Sequence, residues 1–247
     1  MIVFHLSFRE IYCFYTKILS SSKNNTDNNM QDRIVIIGSG QAGAMAAIYL
    51  RQKKFAGTIK IFGEESYLPY QRPPLSKGFL SNEAGESKLF LKSEIFYKNN
   101  NIELNLNTKV LEIDKKNKFI LINNKKKVSY DKLIIATGSS VNFFNSKKQN
   151  ILYLKTIKDS KIIKNKLLTG RTLAVIGGGY IGLELTSIAI KKKLKVMILE
   201  SEKRLMSRVV SERISDFFEN KHRSMGVDIR FNSYVKKDVR TENLIIP

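Results

Sequence analysis

The 247-residue sequence has little of what sulfur and metal chemistry need. Cysteine occurs once, at Cys13, and a single thiol makes neither an internal disulfide nor a zinc cluster. The two histidines, His5 and His222, lie far apart, which argues against a histidine metal centre, and no metal site is expected. There is no apolar run of about 18 residues, so no segment has the composition of a membrane-spanning helix. These absences point to a soluble protein of a reducing compartment, expected in the cytoplasm. Proline is also scarce, and three of its four copies, Pro69, Pro73 and Pro74, fall in one segment.

Lysine, by contrast, is abundant. The net charge of +21 comes largely from short runs such as Lys125-Lys126-Lys127 and Lys191-Lys192-Lys193. Nucleic-acid readers favour arginine forks and interleaved aromatics. Here the lysines are spread along the whole chain among asparagine and isoleucine. That pattern reads as a solvated positive face, and nucleic acid is not an expected partner. A basic face also suits docking of an acidic protein. With 43% hydrophobic and 26% charged residues the chain is an ordinary globular one, with room for one large domain or two small ones.

Residues 1–30 differ from the rest. They lack the basic start of a signal peptide and the arginine content of a mitochondrial address, so they read as a disordered or spurious leader, with Met30 a plausible start. From Arg33 the pattern sharpens. Ile34–Ile37 is a β-branched run typical of a strand buried on both faces. Gly38-Ser39-Gly40-Gln41-Ala42-Gly43 follows, Ala44–Gln52 reads as a helix and Thr58–Phe62 as a strand, with Glu64 just beyond. The arrangement recurs. Leu173–Ile176 is a strand, Gly177-Gly178-Gly179-Tyr180-Ile181-Gly182 a turn, Leu183–Lys191 a helix, and Lys195–Leu199 a strand ending at Glu200. Between the two lies a further strand, Asp131–Ile135, followed by Ala136-Thr137-Gly138.

A glycine triplet alone is a weak signal. Here each copy sits between strand and helix and has an acid about 20 residues further on, which makes both specific for dinucleotides. Gly38 and Gly177 allow the tight turn, Gly40 and Gly179 admit a pyrophosphate, and Gly43 and Gly182 let helix and strand pack closely. The helix N-terminus offers free N–H groups to phosphate. Glu64 and Glu200 would accept hydrogen bonds from ribose hydroxyls. Glu200 favours NADH by repelling the extra phosphate of NADPH, with Arg204 nearby as a group that could weaken this preference. The fold expected is α/β, with two Rossmann-like dinucleotide-binding units in a glutathione-reductase-like arrangement. The boundaries expected are 31–145 for the first nucleotide domain and 146–247 for the second.

Disulfide reductases of this architecture carry a redox cysteine pair soon after the first βαβ unit. That stretch here holds Arg72-Pro73-Pro74-Leu75-Ser76-Lys77 and no cysteine, so a relay of electrons through sulfur is excluded. The motif Tyr67–Lys77, together with Gly38–Gly43, Ala136–Gly138 and Gly177–Glu184, resembles the FAD-dependent ferredoxin and rubredoxin reductases. The likeness covers most of Arg33 to about Phe231. It implies FAD on the first unit, NADH on the second, and electrons passed to a ferredoxin- or rubredoxin-type iron–sulfur protein. It also implies that Lys77 and Glu184 lie by the flavin ring and that Ala42, Glu64, Lys77 and Val110 touch FAD, with Lys155 a weaker candidate; Arg72 belongs to the same motif. Two departures stand out. Ser140-Val141-Asn142 replaces the family's Pro-Arg pair, and nothing after Phe231 matches the returning FAD segment or the C-terminal domain, so a truncated product is expected. Two alternatives stay open, an NADH oxidoreductase directed to quinone or oxygen and a non-catalytic nucleotide-binding protein. In Ser211–Ser224, the spacing of Ile214, Phe217 and Phe218 predicts that they pack inward, with His222 on the polar side.

Overall fold

The β-branched run after Asp32 has no polar face to offer solvent, and it forms the central strand of a parallel sheet. In a computed structural model of the chain, residues 32–143, 151–234 and 244–246 are described. The leader, with Cys13, His5 and Met30, lies outside the described residues. Backbone contacts divide the chain into two units, one of residues 32–71 and 90–139, the other of residues 72–89 and 140–246. The segment Arg72–Leu89, which sequence order places inside the first nucleotide domain, groups with the second unit.

In the first unit, β1 (Arg33–Ile37) leads through the glycine turn to α1 (Gln41–Gln52) and then β2 (Thr58–Phe62). The short α2 (Glu94–Asn99), capped by the Ser93 hydroxyl, precedes β3 (Ile102–Asn105). Strands β4 (Val110–Asp114), β5 (Phe119–Ile122) and β6 (Lys127–Ser129) form a separate antiparallel sheet, and β7 (Lys132–Ile135) returns to the first one. The parallel order is β3-β2-β1-β7, with Ile36 paired to both Ile61 and Ile134. Side chains of β1 alternate across the sheet. Ile34 and Ile36 pack with Ala47, Ile48, Ile61 and Tyr97 on the helical face. Val35 and Ile37 pack on the opposite face with Ile120 and Ile122 of the antiparallel sheet and with Tyr130, which follows it. Arg33 ties the start of β1 to Asp131 before β7, and its guanidinium hydrogen bonds hold the Asp131 carboxyl down at about 2.

The second unit contains β8 (Ile151–Tyr153), α3 (Ile157–Lys166), β9 (Thr172–Ile176), α4 (Tyr180–Lys191), β10 (Lys195–Leu199), α5 (Glu212–Ser224), β11 (Asp228–Arg230) and β12 (Leu244–Ile246). All its pairings are parallel, in the order β11-β10-β9-β12-β8. Helix α3 starts with a capping box, the Thr156 hydroxyl and the Asp159 carboxylate each taking the other's backbone N–H. Past Phe231, where the sequence pattern shows nothing to close the sheet, Leu244–Ile246 pairs with both β8 and β9. Among the described residues no helix is long and apolar enough to cross a membrane.

The packing of α5 corrects the sequence expectation. Phe217 is 62% exposed and Ile214 is also exposed, whereas His222 is buried at 3%. The buried face runs through Ser215, whose hydroxyl donates to the Leu205 carbonyl at 2.7 Å, and His222, seven residues on, whose Nδ1 donates to the Phe218 carbonyl at 2.8 Å. Ser215 and Ile214 lie about 100° apart around the helix, so the apolar spacing identifies a stripe without stating which way it faces. A small serine allows the close backbone approach that a phenylalanine would block.

Helices α1, α4 and α5 end in the same left-handed motif. Residue C′ has positive φ, its N–H donates to the carbonyl three residues back, and the next N–H donates to the carbonyl one residue before that. Only α5 uses glycine there, Gly226; α1 uses Lys54 (φ 61°) and α4 uses Lys193 (φ 60°). A side chain in this conformation costs about 1–2 kcal/mol. Lys54→Gly and Lys193→Gly should therefore each stabilise the protein, by about 0.5–1 kcal/mol after the added unfolded-state entropy. Thermal unfolding of the single and double variants checks this, with additive increases in Tm expected because the positions lie in different units.

Candidate functional site

Each glycine turn packs so tightly that its own backbone defines a cradle. A Cβ on Gly43 would meet the Gly38 carbonyl oxygen at 2.0 Å, and one on Gly182 would meet that of Gly177 at 2.2 Å. Gly38 (φ 112°) also lies against the Ala136 carbonyl, where a Cβ would approach to 2.1 Å, and the Ala136 N–H bonds the Ile37 carbonyl at 2.7 Å. The middle glycines differ. A Cβ on Gly40 or Gly179 would meet nothing within 4 Å. These residues N-cap α1 and α4, no side chain caps either helix, and neither first turn contains an acid. An uncapped N-terminus facing open space, with Gln41 and Ala42 in one unit and Tyr180 and Ile181 in the other exposed at its rim, fits a dinucleotide diphosphate.

The two acids are not equivalent. Glu200 directly follows β10 and is 9% exposed; one carboxylate oxygen accepts the Gly178 N–H at 2.7 Å and the other accepts the Glu202 N–H at 2.9 Å. A Cβ on Gly178 would meet Leu205 at 2.4 Å and the Glu200 carboxylate at 3.1 Å, so that glycine makes room for the acid. In the first unit the matching strand-end residue is Gly63, and the Ser39 side chain fills the space beside it. Glu64, one residue further, is exposed, 3.6 Å from the Lys109 ammonium. Arg204 does not reach the Glu200 carboxylate; its guanidinium donates to the Val210 and Ser207 carbonyls of its own loop.

Within the second unit, Lys77 Nζ lies 2.9 Å from Glu184 Oε1, although 107 positions separate them in sequence. Ser76 donates its hydroxyl to the other Glu184 oxygen. Arg72 donates to the Lys155 carbonyl at 2.6 Å, and the Leu75 carbonyl accepts from Ser160 of α3 at 2.8 Å, so the proline segment is stitched onto α3 and α4. Val110 packs against the core of Val35, Ile37 and Ile122. Thr137 and Gly138 (φ 69°) are exposed after β7. Sequence reasoning missed Ser39 and Ser76, although Ser76 stands inside the motif it singled out. Among the described residues no group of three or more His, Cys, Asp or Glu is placed to hold a metal ion.

The model of the pyridine nucleotide-disulphide oxidoreductase family matches residues 32–245. The chain belongs to this family. Among its relatives, rubredoxin-NAD(+) reductase of Pseudomonas putida is 39% identical over 203 residues, 81% of this chain and 53% of that protein. The ferredoxin–NAD(+) reductase component of the p-cumate 2,3-dioxygenase system of Pseudomonas putida is 41% identical over 202 residues, 81% of this chain and 50% of that protein. Of solved structures, the covalent putidaredoxin reductase–putidaredoxin complex superposes with a TM-score of 0.83 at 32% identity, covering 88% of this chain and 58% of that one. The chain spans about half the length of the relatives it matches. Unlike the disulphide chemistry in the family's name, this member has a single cysteine in its whole sequence.

The geometry separates packing glycines from cradle glycines. Gly43→Ala should cost about 1–3 kcal/mol, because the new methyl meets backbone that cannot yield. Gly40→Ala should cost less than about 1 kcal/mol, the ordinary loss at an N-cap. Urea unfolding of the two variants in the absence of nucleotide checks the contrast.

Proposed function

We propose that the protein is a soluble, cytoplasmic flavoprotein oxidoreductase that takes a hydride from NADH onto FAD and passes the electrons to a small iron–sulfur protein of rubredoxin or ferredoxin type. The observation that carries this reading is the pair of open glycine cradles in one chain, each at an uncapped helix N-terminus. The acceptors for which its relatives are named support the last step. Flavin, when bound, supplies the exchange between a two-electron hydride donor and one-electron acceptors.

The residues divide the work. Gly38, Gly40, Gln41, Ala42 and Gly43 are assigned to the FAD diphosphate, with Glu64 on the ribose, and Ala136, Thr137 and Gly138 beside them close the cradle. Gly177, Gly179, Tyr180, Ile181 and Gly182 take the NADH diphosphate. Glu200 takes the adenosine ribose hydroxyls, its orientation set by the two backbone N–H groups it accepts. Lys77 supplies positive charge where electron density accumulates on the ring, and Glu184 holds that ammonium in place. Arg72 anchors the segment that carries Lys77. Val110 contributes packing.

Two experiments test this. The purified chain should show the visible absorbance of bound flavin, bleached by NADH and recovered on adding oxidised rubredoxin or ferredoxin, and Gly40→Val should abolish the flavin absorbance while leaving the far-UV circular dichroism intact. Equal flavin content in variant and parent rejects the assignment of the first cradle; recovery with a quinone or oxygen alone favours the other acceptors. Bleaching should also be faster with NADH than with NADPH. Glu200→Gln should narrow that preference by about tenfold through loss of charge repulsion, and should cost about 1–3 kcal/mol because one buried N–H loses its acceptor.

A further inference from the structure

Ser76 closes the short 3-10 helix Pro73–Ser76 and is 5% exposed. Its place is fixed on several sides. Pro73 and Pro74 each lock a backbone torsion, the Leu75 side chain is buried, and the Leu75 carbonyl accepts from the buried Ser160 hydroxyl of α3. The Ser76 hydroxyl has one proton and two oxygens within reach, the Pro73 carbonyl at 3.3 Å and, much closer, Oε2 of Glu184. An ionised acceptor takes such a proton in preference to a neutral one. Glu184 Oε1 is thereby left to Lys77 Nζ, which also lies 3.4 Å from the Pro73 carbonyl.

A lysine–glutamate pair with half-exposed side chains is worth at most about 1 kcal/mol by itself and has many arrangements open to it. Anchoring one carboxylate oxygen to a rigid hydroxyl removes most of them. We propose that Ser76 is a positioning residue, which holds the Glu184 carboxylate in the rotamer that pairs with Lys77 and so sets where the Lys77 ammonium stands. The functional consequence rests on the assignment of Lys77 and Glu184 to the flavin; the positioning itself is measurable without any nucleotide.

The test is trace acetylation of the full chain with acetic anhydride at neutral pH, reading modification of Lys77 by mass spectrometry relative to the exposed Lys98. Ser76→Ala should raise the relative rate at Lys77 about two- to fivefold, as a paired amine becomes free to react. Glu184→Gln should raise it equally, the double variant no further, and Ser76→Thr, which keeps the hydroxyl, should restore the parent rate. If Ser76→Ala does not fold, Ser76→Gly removes the same hydroxyl without adding a contact. An unchanged rate in Ser76→Ala beside a raised rate in Glu184→Gln overturns the proposal, and so does an unchanged rate in both. In the flavin-loaded protein, Ser76→Ala should slow bleaching by NADH at unchanged flavin content. A labelling change without that slowing leaves the positioning in place and rejects the assignment of the pair to the flavin.

Discussion

Both units depend on one close approach of backbone to backbone, at the point where strand turns into helix. The third glycine of each turn lies against the carbonyl of the first at a distance no Cβ tolerates. That contact draws α1 onto β1 and α4 onto β9, and it directs the first turn of each helix at the space beyond the strand end. The open cradle at Gly40 and Gly179 is a consequence of this packing: it is the part of the turn that packing leaves uncovered, and the part with the N–H groups a diphosphate would need. The same glycine spacing therefore holds the packing contact and the open cradle on different residues.

The two cradles are variations on one design. Ser39 stands on the first turn opposite Gly63, whereas Gly178 stands on the second opposite Glu200. Each pair holds one side chain and one glycine, because the gap between turn and strand end admits only one. Placing the side chain on the strand end in the second unit makes a buried carboxylate part of the turn itself, held by the Gly178 and Glu202 N–H groups. Its direction is set by the protein's own backbone, which is the preorganisation that the proposed ribose contact requires.

The proline segment shows how rigidity is carried over sequence distance. Arg72, Leu75, Ser76 and Lys77 all contact residues of the second unit, although they follow β2 of the first in sequence. Stiff backbone from two adjacent prolines delivers these groups together. A family whose name refers to disulphide chemistry here presents a hydroxyl and an ammonium on this segment, against a carboxylate of α4, with no thiol.

How much was legible in the sequence follows from which forces are local. The β-branched runs and glycine turns determined β1, β2, β9 and β10 almost to the residue, and the existence of the helices between them, since strand burial, turn sterics and helix packing are all encoded within about 30 residues. The helices begin three residues earlier than expected, inside the glycine turns, because Gly40 and Gly179 adopt extended backbone that serves as an N-cap. The antiparallel sheet of β4, β5 and β6, the return of Leu244–Ile246 between β8 and β9, and the inward face of α5 were decided only by tertiary structure. Each depends on which distant surface an apolar stripe meets, and periodicity carries the stripe without its partner. The Ser76–Glu184–Lys77 arrangement belongs to the same class: the motif contained the serine and the lysine, but a hydrogen bond to a carboxylate on another helix exists only once α4 has been packed beside them.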